Sequence, residues 1–276
     1  MNFKRECPIQ KLAKQPLALV LIQIKFTPIE NIEKDYLSQI QDFLRKNDYP
    51  LINKTQSLSV VMEKESYNSE ENPQWIFSSA DSFSNIILDK NQFVFQLSNY
   101  ETFESFFAKF DKLFTEIMNI TEHDKSGYIQ RLGLRYVDQI IPIDENDTID
   151  SYFQDTMRIE QPKRFNNKNK CCTTGIYGNV ELCEKEDIGN VAIRILQGLK
   201  DFSLPPDLEN NAPKLVREID KEKNIGLIDL DCSFEPEKLE KYDFNRLGKL
   251  LYKMHDILND NFFNDVVSKE GVKKWS

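Results

Sequence analysis

Two arginines four residues apart, in a segment that reads as a strand, are the first place where side-chain chemistry concentrates in this chain. The stretch Gly127–Ile143 is GYIQRLGLRYVDQIIPI. Side chains of an extended segment alternate between faces. Ile129, Arg131, Gly133, Arg135 and Val137 therefore share one face, and Leu132, Leu134 and Tyr136 share the other. Gly133 leaves a bare patch between the two guanidinium groups. Such a patch suits a bound anion, a partner's carboxylate or acids of the protein's own core, because Arg presents a planar fork of donors.

Acids at matching spacing occur once more. In Gly226–Phe234, GLIDLDCSF, Asp229 and Asp231 share one strand face. Paired acids suit a divalent cation or acid–base work, but a solvated or arginine-paired face is the simpler reading. The two ideas join if Arg131 and Arg135 meet Asp229 and Asp231 across a sheet, in which case the cluster is structural. His255, followed by Asp256 at the flank of the last helical stripe, completes the set of anion- or partner-binding candidates. The other histidine, His123 in ITEHDKS, reads as solvated.

Other chemistries find little support. No CxxC, HxxxH or HExxH occurs, and the neighbours Cys171 and Cys172 point to opposite faces of a strand. No metal and no cofactor is expected. There is no GxSxG, no GxGxxG and no GxxxxGK[ST], and the chain holds nine glycines in all. No catalytic residue is assigned, and binding is favoured over catalysis. A net charge of −9 and a pI near 5.0 disfavour a nucleic-acid partner and favour a basic protein. Lys163, Arg164, Lys168 and Lys170 form the one compact basic cluster, read as a solubilising loop. No apolar run approaches the roughly 20 residues that span a bilayer. No secretory signal is legible in MNFKRECPIQKLAK, and five cysteines, an odd number, point to reduced thiols in a cytoplasm.

The elements that position these residues follow from periodicity. Pro16–Phe26 reads as a covered central strand. Thr27-Pro28-Ile29-Glu30 reads as a capping box opening a helix that runs to about Lys46. Leu58–Glu63, Gln74–Ser79, Asn85–Asp89 and Gln92–Ser98 read as strands, with a polar loop at Glu65–Pro73. Ser98–Glu101 reads as a second capping box. The helix after it carries Phe103, Phe106, Phe107, Phe110, Leu113 and Phe114 at core-packing spacing. After the acidic break Asp144–Thr148 come a short helix at Ile149–Met157 and strands at Cys171–Ile176, Asn179–Glu184 and Asn190–Leu196. The Asp229 strand follows, then a long helix from about Asp243 to Phe263. The expectation is an α+β protein of two packed halves, 1–145 and 146–276, with mainly antiparallel sheets covered by helices.

Several of these segments occur together in a fixed order: PLALVLIQIKF, SNYETFESFF, RLGLRYVD, PPDL, LIDLD, HDILNDNFF and a terminal KW. In that order the chain resembles a sporadically distributed family of uncharacterised bacterial proteins of about this length. The resemblance spans nearly the whole chain and brings no catalytic residues with it. The patchy occurrence implies cargo of mobile elements. The expectation is thus a non-enzymatic cytoplasmic binding protein of the antitoxin, immunity or phage-defence kind, acting on a protein partner. The alternatives are a small-anion or nucleotide sensor or enzyme built on Arg131 and Arg135, and a homodimer joined through sheet edges.

Overall fold

The structure, a computed structural model, describes residues 12–63, 66–144, 147–158, 172–199, 203–219 and 223–276. The basic cluster at 163–170 and Cys171 lie outside the described residues. Among the described residues, ten strands form one antiparallel sheet. The amino-terminal part supplies β1 (Leu17–Phe26), β2 (Leu51–Glu63), β3 (Ser66–Ser78), β4 (Ser84–Leu88), β5 (Gln92–Leu97) and β6 (Tyr128–Ile140). The remainder are β7 (Cys172–Glu181), β8 (Ile188–Leu199), β9 (Ile225–Phe234) and the short β10 (Glu240–Lys241). Their order is β2-β3-β4-β5-β1-β6-β9-β8-β7, with β10 beside β6. The α+β class holds, and strands from both parts of the chain share this sheet, meeting where β6 pairs with β9.

Helices α1 (Leu37–Lys46), α2 (Phe103–Ile120) and α5 (Phe244–Asp260) cover one face. The pattern that makes α2 a helix also makes it the main core donor. Phe103, Phe106, Phe110, Leu113 and Phe114 are buried at helical spacing and meet the inward side chains of β1 and β5, with Phe93 and Phe114 centred 5.1 Å apart. Each aromatic of this size removes a large apolar area from water, which makes this layer the main source of stability. Asp243 caps α5 by accepting from Asn245 N and Arg246 N. A further helix, α6 (Lys269–Trp275), seats Trp275 in the same core. No helix among the described residues is long and apolar enough to cross a membrane.

The opposite face is covered over only part of its area. The segment around α4 (Pro206–Glu209) lies there, placing Leu204 and Leu208 on Leu19, Leu21, Val94 and Val137. A second apolar cluster on this face joins Ile225 and Leu227 to Leu196 and Ile219. Between the two clusters the face carries charged and amide side chains.

Local expectations fail where a tertiary bond outbids a local one. Thr27 does not open a helix. Its backbone N donates to Tyr128 O (3.0 Å) and its Oγ1 accepts from Tyr128 N (3.2 Å), so it belongs to the sheet rim. The first helix starts later, as a π-helical turn at Ile32–Tyr36 that runs into α1. Ser98 likewise spends its hydroxyl on Phe83 O and Lys214 O, and the cap of α2 passes to Thr102, which accepts from Ser105 N. The loop expected at Glu65–Pro73 is mostly strand, as β3 pairs with β2 over its whole length. The two strands expected at Cys171–Ile176 and Asn179–Glu184 are one, β7, in which Gly178 pairs with Val191 rather than turning the chain. His123, which opens the one-turn α3 (His123–Ser126), is buried rather than solvated, 5.0 Å from the Phe26 ring. Burial lowers its pKa, with Asp124 opposing, and Gly127 lies so close that a Cβ there would stand 2.1 Å from the imidazole.

Candidate functional site

β6 and β9 are long, well-covered strands, and from Arg131 onward β6 alternates so that its arginines, with Asp229 and Asp231 of β9, emerge on the face away from the helices, while Asp138 points to the helix side. A register shift before Arg131 turns Ile129, expected on the arginine face, into the helix-side core instead. Register sets Arg135 opposite Asp231 and Val137 opposite Asp229. Arg135 then reaches one step diagonally, whereas Arg194 on β8 stands directly opposite Asp229. Arg135 Nε and Nη2 donate to the two oxygens of Asp229 at 2.6 and 2.9 Å, a bidentate pair. Its Nη1 and Nη2 donate at 2.6 and 3.2 Å to Asp207, at the start of α4. Arg194 on β8 donates to the same Asp229 at 2.5 Å. Arg131 lies 3.9 Å from Asp231 and 3.3 Å from Glu235, and donates to Gln23 Oε1. The arginines and acids named from the sequence are therefore brought together, as a connected ion-pair network.

Burial makes this network strong. Asp229 is 1% exposed and the Arg135 side chain 12%. Burial works against the Arg135 charge, but the hydrogen bonds to Asp229 and Asp207 outweigh it and hold the guanidinium above its usual pKa. Burial pushes Asp231 upward, only partly countered by Arg131, Arg135 and Arg194. Burial also opposes the Asp207 charge, yet Arg135 holds that carboxyl below the usual range. The patch at Gly133 is not bare. The Arg131 guanidinium lies across it, with Nη1 3.0 Å from where a Cβ would stand, so a side chain there would displace the guanidinium by a few tenths of an ångström.

Beside the network lies a cavity of about 280 Å³. Its walls bring Arg131, Arg135, Asp207 and Asp231 together with Gln23, Gln74, Gln92, Gln96 and Asn211, over a floor of Leu21, Ile87 and Val94. The amides are ordered by a relay. Gln23 Nε2 donates to Gln92 Oε1 at 2.9 Å, and Gln92 Nε2 donates to Asp89 at 2.6 Å. Gln96 is 2% exposed, and its Oε1 accepts nothing among the described residues.

Comparison with models of known protein families and with curated protein sequences returns no match.

His255 is not part of this site. It sits on the helix-covered side, buried, with Nδ1 2.9 Å from Tyr136 Oη and its ring stacked on Phe103 at 4.1 Å. It lines a separate cavity of about 290 Å³ that is mainly apolar and also holds Asp138. The sheet itself separates His255 from Asp229 and Asp231, because from Arg131 onward the even-numbered residues of β6 face the helices and the odd-numbered ones do not. Acid–base work shared between the histidine and these acids is therefore excluded. Among the described residues no group of three or more His, Cys, Asp or Glu side chains is placed to hold a metal ion.

Sequence reasoning missed Arg194, Asp207 and the glutamines. Arg194 alternates in register with Asn190 and Ala192 on β8, a signal that was available. Gln92, Val94 and Gln96 likewise alternate along β5. Nothing local marks Asp207, whose role depends on a loop folding back 72 residues from Arg135.

Proposed function

We propose that the protein is a non-enzymatic binding protein that holds a small polar ligand in the cavity beside Arg131 and Arg135. One observation carries this reading: a walled cavity in which two guanidinium groups, two carboxylates and five side-chain amides converge over an apolar floor. A salt-bridge network alone would explain the charges but not the cavity. The network instead serves as a rigid wall, since each guanidinium is pinned by at least two partners. A ligand bound to the native state alone stabilises it by mass action, by about 2.7 kcal/mol at a hundredfold excess over Kd. A thermal-shift panel spanning nucleosides, amines and organic anions should thus give a saturable rise in midpoint with one compound class. A flat response across all classes would remove the reading.

A second reading, a protein partner of the antitoxin or immunity kind, is favoured by the sheet edge. β7 pairs only with β8 among the described residues, and its outer edge carries Ile176 and Tyr177, 43% and 70% exposed. Open edges of this kind accept an added strand. Light scattering tests the form in which the partner is a second copy. A dimer that Ile176→Lys returns to a single chain supports it, and a monomer at high concentration counts against it.

A further inference from the structure

We propose that the apolar cavity on the helix side is a second binding site, which takes a small organic cation, an ammonium group carried on a single ring or a short alkyl chain, with Asp138 as its counter-ion. The site lies across the sheet from the cavity beside Arg131 and Arg135 and does not depend on it.

An unused carboxyl is the first reason. Asp138 is 4% exposed and lines this cavity. It stands on the helix side of β6 and is the register partner of Leu17 on β1 and Ile228 on β9. Among the described residues its side chain makes no hydrogen bond and no ion pair, and Arg217 acts on it only as a more distant charge. Neither of its oxygens is a sealed, unmatched atom, unlike Gln96 Oε1, so the carboxyl opens on the cavity it lines. Burial keeps the proton on such an acid, and an opposite charge brought beside it favours the ionised form. In a site screened from water that attraction is stronger than at the surface.

The charge of the walls is the second reason. The carboxylic side chains of the lining are Asp138, Glu101 and Glu104, and no lysine or arginine among the described residues lines it. Such a lining repels an anion and draws a cation. The other titratable groups around Asp138 are Tyr136 on its own strand, Tyr100 ahead of α2 and His255 on α5. β1 and β9 contribute only apolar Leu17 and Leu230 to the lining.

Aromatic rings are the third reason. Tyr100 and Tyr136 meet edge to face at 6.2 Å, Phe262 and Phe263 do so at 5.0 Å, and all four line the cavity with Phe103. The face of an aromatic ring carries negative charge and attracts an ammonium group within about 6 Å. The same rings give apolar contact to the body that carries the charge. At about 290 Å³ the cavity stands at the lower end of small-molecule sites, which suits one ring or a short chain.

Calorimetric titration of the full chain tests this with phenethylamine and hexylamine. Phenylacetate and hexanoate serve as anions of similar shape, and 2-phenylethanol and hexanol as neutral ones. At least one amine should bind saturably, at least about tenfold more tightly than its anionic and neutral counterparts. Below the folded pKa of about 8, the ammonium group must displace the Asp138 proton. Binding near neutral pH should thus release about one proton, read from titrations in buffers of different ionisation enthalpy, and affinity should rise with pH by up to about tenfold per unit until that value is passed. Asp138→Asn keeps the shape and removes the charge, and should lose at least about tenfold in amine affinity, which also places the amine here rather than beside Arg135. No saturable binding of either amine overturns the proposal, as does an anion or alcohol that binds as tightly as its amine. An Asp138→Asn protein that binds as well as the parent overturns it too. The parent alone suffices where the variant does not fold, because amine binding without proton release also overturns it.

Discussion

Replacing Arg135 with methionine is expected to cost the fold about 3–5 kcal/mol, close to the whole margin of many domains. The loss is not that of a surface ion pair. Asp229 is 1% exposed and accepts two hydrogen bonds from Arg135, and only Arg194 would remain to it. A carboxylate left half-answered in the middle of a sheet bears its desolvation cost without the attraction that offset it. Removing both partners should hurt far less. The Arg135→Met/Asp229→Leu double variant should recover most of the stability, since Arg194 and Asp207 are exposed enough, at 29% and 61% of their side chains, to turn to water. Urea unfolding of the single and double variants reads the coupling directly. A single-variant loss below about 1 kcal/mol would mean that the network behaves like an exposed one.

The second large effect concerns Asp138, buried on the helix side, whose carboxyl is pushed up to about 8 by burial, with Arg217 partly opposing. An unfolded Asp titrates near about 3.9. Between those values the native state holds a proton that the unfolded chain has lost. Stability therefore falls as pH rises through this window, and the fall ends above the folded value. Asp138→Asn keeps the shape and removes the titration. Its stability relative to the parent should thus climb with pH across the window, at a limiting slope of about 1.4 kcal/mol per unit. Denaturant midpoints measured for both proteins from mildly acidic to mildly alkaline pH give this difference. Two parallel curves would rule out a raised Asp138.

The parts of this fold that were legible are those in which one periodicity runs unbroken. β1, β6 and β9 alternate cleanly, α2 and α5 keep an apolar stripe, and alternation alone placed Arg131 and Arg135 with Asp229 and Asp231. What failed was competition between local and distant bonds. Ser98 and Thr27 both look like caps, and only the presence of Phe83, Lys214 and Tyr128 diverts them. β3 is too polar to announce itself, and the partner strand β2 decides its state. The cavity was hidden for a related reason. Gln92 and Gln96 are two polar positions of one strand, and only the segment from Leu204 to Leu215, folding over that part of the sheet, makes them a cavity wall. Irregular segments leave no periodic signature, so their folding back cannot be read from residue spacing.

The pairing of β6 with β9 also has a temporal side. Arg135 leaves the ribosome 94 residues ahead of the acid that receives it, a delay of roughly 5–20 s at ordinary synthesis rates. Through that interval the six strands β1 to β6 can already zip together, while the free flank of β6 offers an open ladder and an unanswered cation to whatever is near. Nascent chains of this protein are therefore most open to mispairing until roughly their last fifth appears, and β9 is the strand that ends the exposure.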